Sequence, residues 1–113
     1  MHKSVQNYNE AGLVFAALGD VTRLQLVERL SVGQPQSIAQ LTDGLGLTRQ
    51  GVTKHLKILE QVGMVDSHRE GRETRFKLSP EPIVAVQRYL EQVSLEWDEA
   101  LARLKLFVED VPE

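Results

Sequence analysis

Arg49, Gln50, Thr53 and Lys54 crowd into one short stretch of the run TRQGVTKHLKILEQVG, with His55 and Lys57 close behind. The chemistry these side chains offer is hydrogen bonding and charge, not bond making. An arginine guanidinium donates two parallel hydrogen bonds to guanine O6 and N7, and a glutamine amide pairs with adenine in the same two-point way. Lys54 and Lys57 are compact cations. Lys57 sits a turn further along, where a phosphate is the better match than a base edge. Thr48 stands just before this group, where its hydroxyl can cap a helix and also meet a phosphate at the helix N-terminus. His55 has three readings: a phosphate contact, an orienting bond, or a purely structural role. A second set of cations follows at Arg69, Arg72 and Arg75. Arginines on a hairpin reach phosphates or a narrow, A·T-rich minor groove. Glu70 and Glu73 lie among them and partly cancel their field.

Other chemistries lack their residues. There is no cysteine, which removes disulfides, thiolate catalysis, thiol redox sensing and sulfur-based metal sites. His2, His55 and His68 have no ligand spacing, so no metal site and no cofactor is expected. No paired carboxylate sits at a turn, no nucleophile has a base near it in sequence, and no glycine-rich phosphate loop occurs; no residue is assigned a catalytic role. The net charge of −3 looks wrong for a protein that binds polyanions, but its distribution resolves this. Residues 48–77 hold seven Lys and Arg against four acids, a net of +3. Residues 1–47 hold three against four, and residues 78–113 three against eight. A basic centre beside an acidic tail locates a nucleic-acid face better than the total does.

The elements that position these side chains follow from apolar spacing. Residues 7–18 read as a helix with Leu13, Val14, Ala17 and Leu18 on its apolar side, ended by Gly19. Asp20 caps a second helix carrying Leu24, Leu26, Val27 and Leu30. Ser37 and Gln40 form the S-x-x-Q capping box of a short third helix with Ile38, Ala39 and Leu41. Leu45-Gly46-Leu47 is a turn. The helix after Thr48 places Val52, Leu56 and Leu59 on a core face and Arg49, Thr53 and Lys57 on another, with Gln50 and Lys54 beside it. Gly63 is its stop. Phe76 and Leu78 alternate with Arg75 and Lys77 as in a half-buried strand, and the glycine turn at Gly71 pairs that run with residues 64–69 as a β-hairpin.

A last helix is expected over 82–108, with Pro82 in its first turn. Ile83, Val86, Leu90, Val93, Trp97, Ala100, Leu104 and Phe107 alternate spacings of three and four, a heptad seam. From Ile83 to Phe107 such a helix is about 37 Å long at ~1.5 Å per residue. A compact domain of this size spans only ~26 Å. Part of the seam must therefore pack outside its own domain, and the simplest partner is a second copy related by a two-fold axis. Leu13, Leu90, Val93, Trp97, Leu101 and Leu104 are the expected dimer contacts. Trp97 reads as an interface anchor, with the wall of an effector pocket as the alternative. Glu91, Glu96, Asp98 and Glu99 read as a solvated face.

Three stretches together resemble the ArsR-type winged-helix repressors. Residues 17–24, ALGDVTRL, are similar to the family's L-x-D-x-T-R-L opening. Residues 45–59, LGLTRQGVTKHLKIL, are similar to its recognition-helix signature. Gly63-Met64-Val65 followed by Arg69-Glu70-Gly71-Arg72 is similar to its strand and wing. The resemblance implies one winged helix-turn-helix domain over 1–113, mainly α with a β-hairpin. Its parts would be about five helices and one two-stranded wing, with the helix-turn-helix at 37–62 and the wing at 64–78. It also implies dimerisation through helices 7–18 and 82–108, and binding to inverted-repeat operators. Metal-sensing members carry a Cys-x-Cys pair where this chain has Ser37-Ile38-Ala39. Other members bind zinc through His and carboxylates on the last helix, and residues 82–108 contain no His. A branch that senses no metal is expected.

The function these features point to is a homodimeric, sequence-specific regulator that blocks RNA polymerase from double-stranded DNA. The alternative is a winged helix kept as a protein-interaction module, which would not need Arg49, Lys54, Arg69 and Arg72. An enzyme is the weakest reading. No residue pattern specifies an effector. No run is long and apolar enough to span a membrane, and the first residues lack a signal-peptide core, so the cytoplasm is the expected location.

Overall fold

A computed structural model describes residues 8–109; Asn7, expected in the first helix, and His2 lie outside them. The chain runs through α1 (Tyr8–Leu18), α2 (Val21–Leu30), β1 (Gln36–Ser37), α3 (Ile38–Thr42), α4 (Arg49–Gln61), β2 (Val65–Glu70), β3 (Glu73–Leu78) and α5 (Glu81–Glu109). This is a winged helix-turn-helix, mainly helical, with a long C-terminal helix.

Each boundary has a local cause. Asp20 sits in extended backbone and its carboxylate accepts the Arg23 amide, capping α2. The Ser37–Gln40 capping box forms in both directions and starts α3. Thr48 caps α4, accepting the Gly51 amide at 3.0 Å. At the other end of α4, Gly63 takes a φ of +79°, open to glycine at no steric cost. The Gly63 and Met64 amides then donate to the Glu60 and Leu59 carbonyls, a Schellman closure. Gly71 opens the hairpin turn at φ +66° while Arg72 keeps a negative φ, the sign pattern of a type II′ turn that matches strand twist.

Leu26, Leu30, Leu41, Val52, Leu56, Leu59, Met64 and Val65 are fully buried and form the centre of the core. The apolar row Val52, Leu56 and Leu59 faces inward as its spacing requires. On α1 the buried residues are Ala11, Val14 and Ala17, whereas Leu13 is exposed. On α2 Leu24 also stays exposed, so only part of that helix's apolar spacing is used by its own domain.

The sheet corrects one expectation: it has three strands in the order β1-β3-β2, not two. Gln36 and Ser37 pair with Phe76 and Arg75. An N-cap residue is held in extended backbone, and Ser37, at φ −78° and ψ 166°, is therefore shaped to join a strand before its helix starts. Two residues are too few to show a strand period in the sequence.

α5 leaves the domain. Its 29 residues make about 43 Å of helix. Only Ala85 and Val86, in its first turns, are buried. The principal extents are 72 × 37 × 23 Å and the Cα radius of gyration is 19.3 Å, against ~13 Å for a compact chain of this length. Phe15 of α1 and Tyr89 of α5 meet ring to ring at 6.2 Å and tie the two helices at their base.

Candidate nucleic-acid interface

The buried row of α4 leaves its opposite side to solvent. Gln50, Lys54, Lys57 and Gln61 follow the spacing i, i+4, i+7, i+11 and are all exposed. This row differs from the sequence expectation, which sets Lys57 with Arg49 and Thr53; Thr53 is half-buried, and Gln61 completes the exposed row. Arg49 is exposed at the first turn. Because Thr48 takes the third amide of the helix, the first two, those of Arg49 and Gln50, have no partner within the helix and sit at its positive end. The Thr53 hydroxyl donates to the Arg49 carbonyl at 2.8 Å. That leaves Thr53 only an acceptor for a ligand.

The wing divides its arginines. Strand register puts Asp66, His68, Glu70, Glu73, Arg75 and Lys77 on one face and Val65, Ser67, Arg69, Thr74, Phe76 and Leu78 on the other. The second face carries the buried Val65 and Phe76, and the Ser67 hydroxyl donates to Glu60 of α4 at 2.7 Å. Arg69 therefore stands on the side of the wing shared with the recognition helix, and Arg72 occupies the turn itself. Arg75 does not stand with them. Its guanidinium lies 3.5 Å from Glu70 and 3.4 Å from Glu73, and its Nε is buried. Two carboxylates neutralise this cation where the sequence reading offered it to DNA. The reason is register: β3 places Arg75 beside both hairpin-end glutamates. His68, opposite Arg75, also faces Glu70, at 3.6 Å.

His55 also turns inward. Its Nδ1 lies 3.1 Å from Arg23 Nη1 and 3.9 Å from Asp20 Oδ1. The geometry is that of an orienting or structural bond to the start of α2. The Asp20 carboxyl is held below its ordinary pKa of 3.8, first by the Arg23 backbone N–H and then by the charge of Arg23. Neither Asp20 nor Arg23 is singled out by the sequence as a site residue, since a separation of 32 positions from Arg23 to His55 hides the contact.

The second surface is apolar. Leu13, Leu90, Trp97, Leu101 and Leu104 are exposed, Trp97 to 63%, and Val93 is half-buried. Phe107 and Val108 continue the same stripe of α5. Leu95 and Leu106 are exposed on the other side of that helix. Near its base a shallow groove of about 370 Å³ runs along Ile83, Val86, Gln87, Leu90, Glu91 and Ser94. Among the described residues no three His, Cys, Asp or Glu side chains cluster as metal ligands, and no helix is long and apolar enough to cross a membrane.

Known proteins share this architecture and sequence. Residues 18–68 match the family model described as a helix-turn-helix domain. The HTH-type transcriptional regulator Rv2034 of Mycobacterium tuberculosis is 30% identical over 97 residues, covering 86% of this chain and 87% of that one. The HTH-type transcriptional regulator YuzN of Bacillus subtilis is 36% identical over 76 residues, covering 62% and 83%. The solved structure of an ArsR-like transcriptional regulator from Rhodococcus sp. RHA1 superimposes with a TM-score of 0.77 at 37% identity, over 92% of this chain and 97% of that one. These relatives are regulators of transcription and not enzymes. With its recognition helix, wing and long last helix so arranged, the chain belongs to the ArsR-type winged helix-turn-helix transcriptional regulators.

Proposed function

We propose that two copies of this chain associate through α1 and α5, bind an inverted-repeat operator on double-stranded DNA, and repress by excluding RNA polymerase from the promoter. The observation that carries the reading is α5, whose stripe from Leu90 to Phe107 stands clear of its own domain. A second copy is the partner that would cover it symmetrically, and a two-fold dimer reads a palindrome. In each half-site Arg49, Gln50 and Lys54 reach base edges. Thr53, left as an acceptor, faces a base amino group; Thr48 and Lys57 meet the backbone, and Arg69 and Arg72 extend the grip along the wing. Arg75 and His55 serve inside the protein.

We infer that neither of the family's two metal sites is used by this chain. Ser37 is spent on capping α3 and is nearly buried, Ile38 and Ala39 offer no ligand atoms, and α5 carries no histidine.

Selection of bound sequences from random duplex DNA at near-physiological salt tests the reading. The expected product is an inverted repeat with half-sites about one helical turn, ~10 base pairs, or a multiple of it apart. Arg49→Ala combined with Gln50→Ala should abolish specific binding while the dimer persists. No enrichment, with no binding even at low salt, would overturn the DNA reading in favour of a protein-interaction module.

A further inference from the structure

Arg23 is used as a strut. Its backbone N–H donates to the Asp20 cap at 3.1 Å, at the start of α2. Its Nε donates to the Ala17 carbonyl at 2.5 Å, and a terminal nitrogen reaches the Ala16 carbonyl at 3.4 Å, both at the end of α1. The other terminal nitrogen meets His55 Nδ1 at 3.1 Å, in the middle of the recognition helix. One half-buried guanidinium thus joins α1, which carries the exposed Leu13, to α4, which carries the exposed polar row.

Arginine has no acceptor and does not lose its proton, so His55 Nδ1 must be the acceptor and the ring proton must sit on Nε2. The planar fork also limits how α4 can rotate or slide: a shift of about 1 Å in the helix breaks a hydrogen bond at its 3.1 Å length. A lysine has one nitrogen and cannot span the same three acceptors.

We propose that Arg23 and His55 are positioning residues that fix the angle of the recognition helix relative to α1, and hence the spacing of the two recognition helices in the dimer. The inference rests on the DNA-binding dimer proposed above and extends it to residues that touch no base. Its consequence is specific. The strut leaves charge on the DNA face untouched, so it governs operator selection and not general attraction to DNA.

The test compares full-length wild type, Arg23→Met, His55→Phe, His55→Gln and the Arg23→Met/His55→Phe double variant. The measurements are dimer state, affinity for the selected operator and affinity for random duplex. Arg23→Met and His55→Phe should each lose about tenfold per half-site, about a hundredfold for the dimer, on the operator alone. His55→Gln restores an acceptor and should recover most of that loss. The double variant should bind no worse than Arg23→Met. Equal loss on operator and random duplex, or losses that add in the double variant, would overturn the proposal. Should Arg23→Met fail to fold, His55→Phe against His55→Gln decides the matter, since both keep Arg23's bonds to α1. Failure of the wild type to select any operator would defeat the functional reading instead. The His55 ¹⁵N spectrum would then still report on the strut: an Nε2-protonated ring lost in Arg23→Met supports the contact, and an Nδ1-protonated ring in the wild type refutes it.

Discussion

Replacing Trp97 with alanine should dissolve the dimer without unfolding the protomer. A tryptophan carries ~250 Å² of accessible surface, and Trp97 keeps 63% of its side exposed, which leaves roughly 155 Å² for a partner. Full cover at ~25 cal/mol/Å² is worth about 4 kcal/mol per protomer, and half cover about 2 kcal/mol. The two-fold axis counts the residue twice, so half cover amounts to about 4 kcal/mol per dimer, or about a thousandfold in the dimerisation constant. Because Trp97 contributes little to its own core, the helical circular dichroism should be unchanged. Sedimentation across a wide protein concentration range reads the shift directly, and operator affinity should fall with it through lost pairing of the half-sites. Leu95→Ala is the matched control: it is equally exposed, at 59%, but on the opposite side of α5, and should leave the constant nearly unmoved. A Trp97→Ala protein that dimerises within a fewfold of wild type, or a Leu95→Ala protein that dissociates as readily, would refute the assignment of the stripe.

Three further outcomes are expected. Arg72→Ala should lower the slope of log affinity against log salt by about one per protomer, whereas Arg75→Ala should leave that slope unchanged, because Glu70 and Glu73 already neutralise it. The Asp20 carboxyl is depressed below 3.8 in the fold, so its contribution to stability is present above that pH and is lost as the pH falls through the lower folded value. Denaturant titrations below about pH 4 should therefore show a loss that Asp20→Asn, still able to accept the Arg23 amide, no longer shows. Stoichiometric zinc should not raise the melting temperature; a clear rise with one metal per protomer would end the metal-independent reading.

Much of the site was legible because it is local. Capping boxes, glycine stops and the Val52-Leu56-Leu59 row act over three to seven residues, within the reach of helix geometry. The exposed row of α4 is the complement of that buried row, so naming one names the other. Residues whose roles depend on distant chain were not legible. Arg69 and Arg75 look alike in sequence, yet they fall on opposite faces of the wing, and only the pairing register puts two glutamates beside Arg75. The third strand was hidden for a similar reason, since a two-residue strand carries no pattern of its own.

By itself the sequence determined the order of the helices, the turn between the third and fourth, the position of the wing and the excess length of the last helix. These follow from backbone preference and from a side-chain period that operates along the chain. Tertiary structure alone decided which polar side chains face outward and which are held by partners within the protein. His55 and Arg75 both carry groups that suit a phosphate, and both are taken up by partners that folding brings within 4 Å. Charge and hydrogen-bonding capacity are properties of the residue, whereas their availability depends on what the folded chain has already placed beside them.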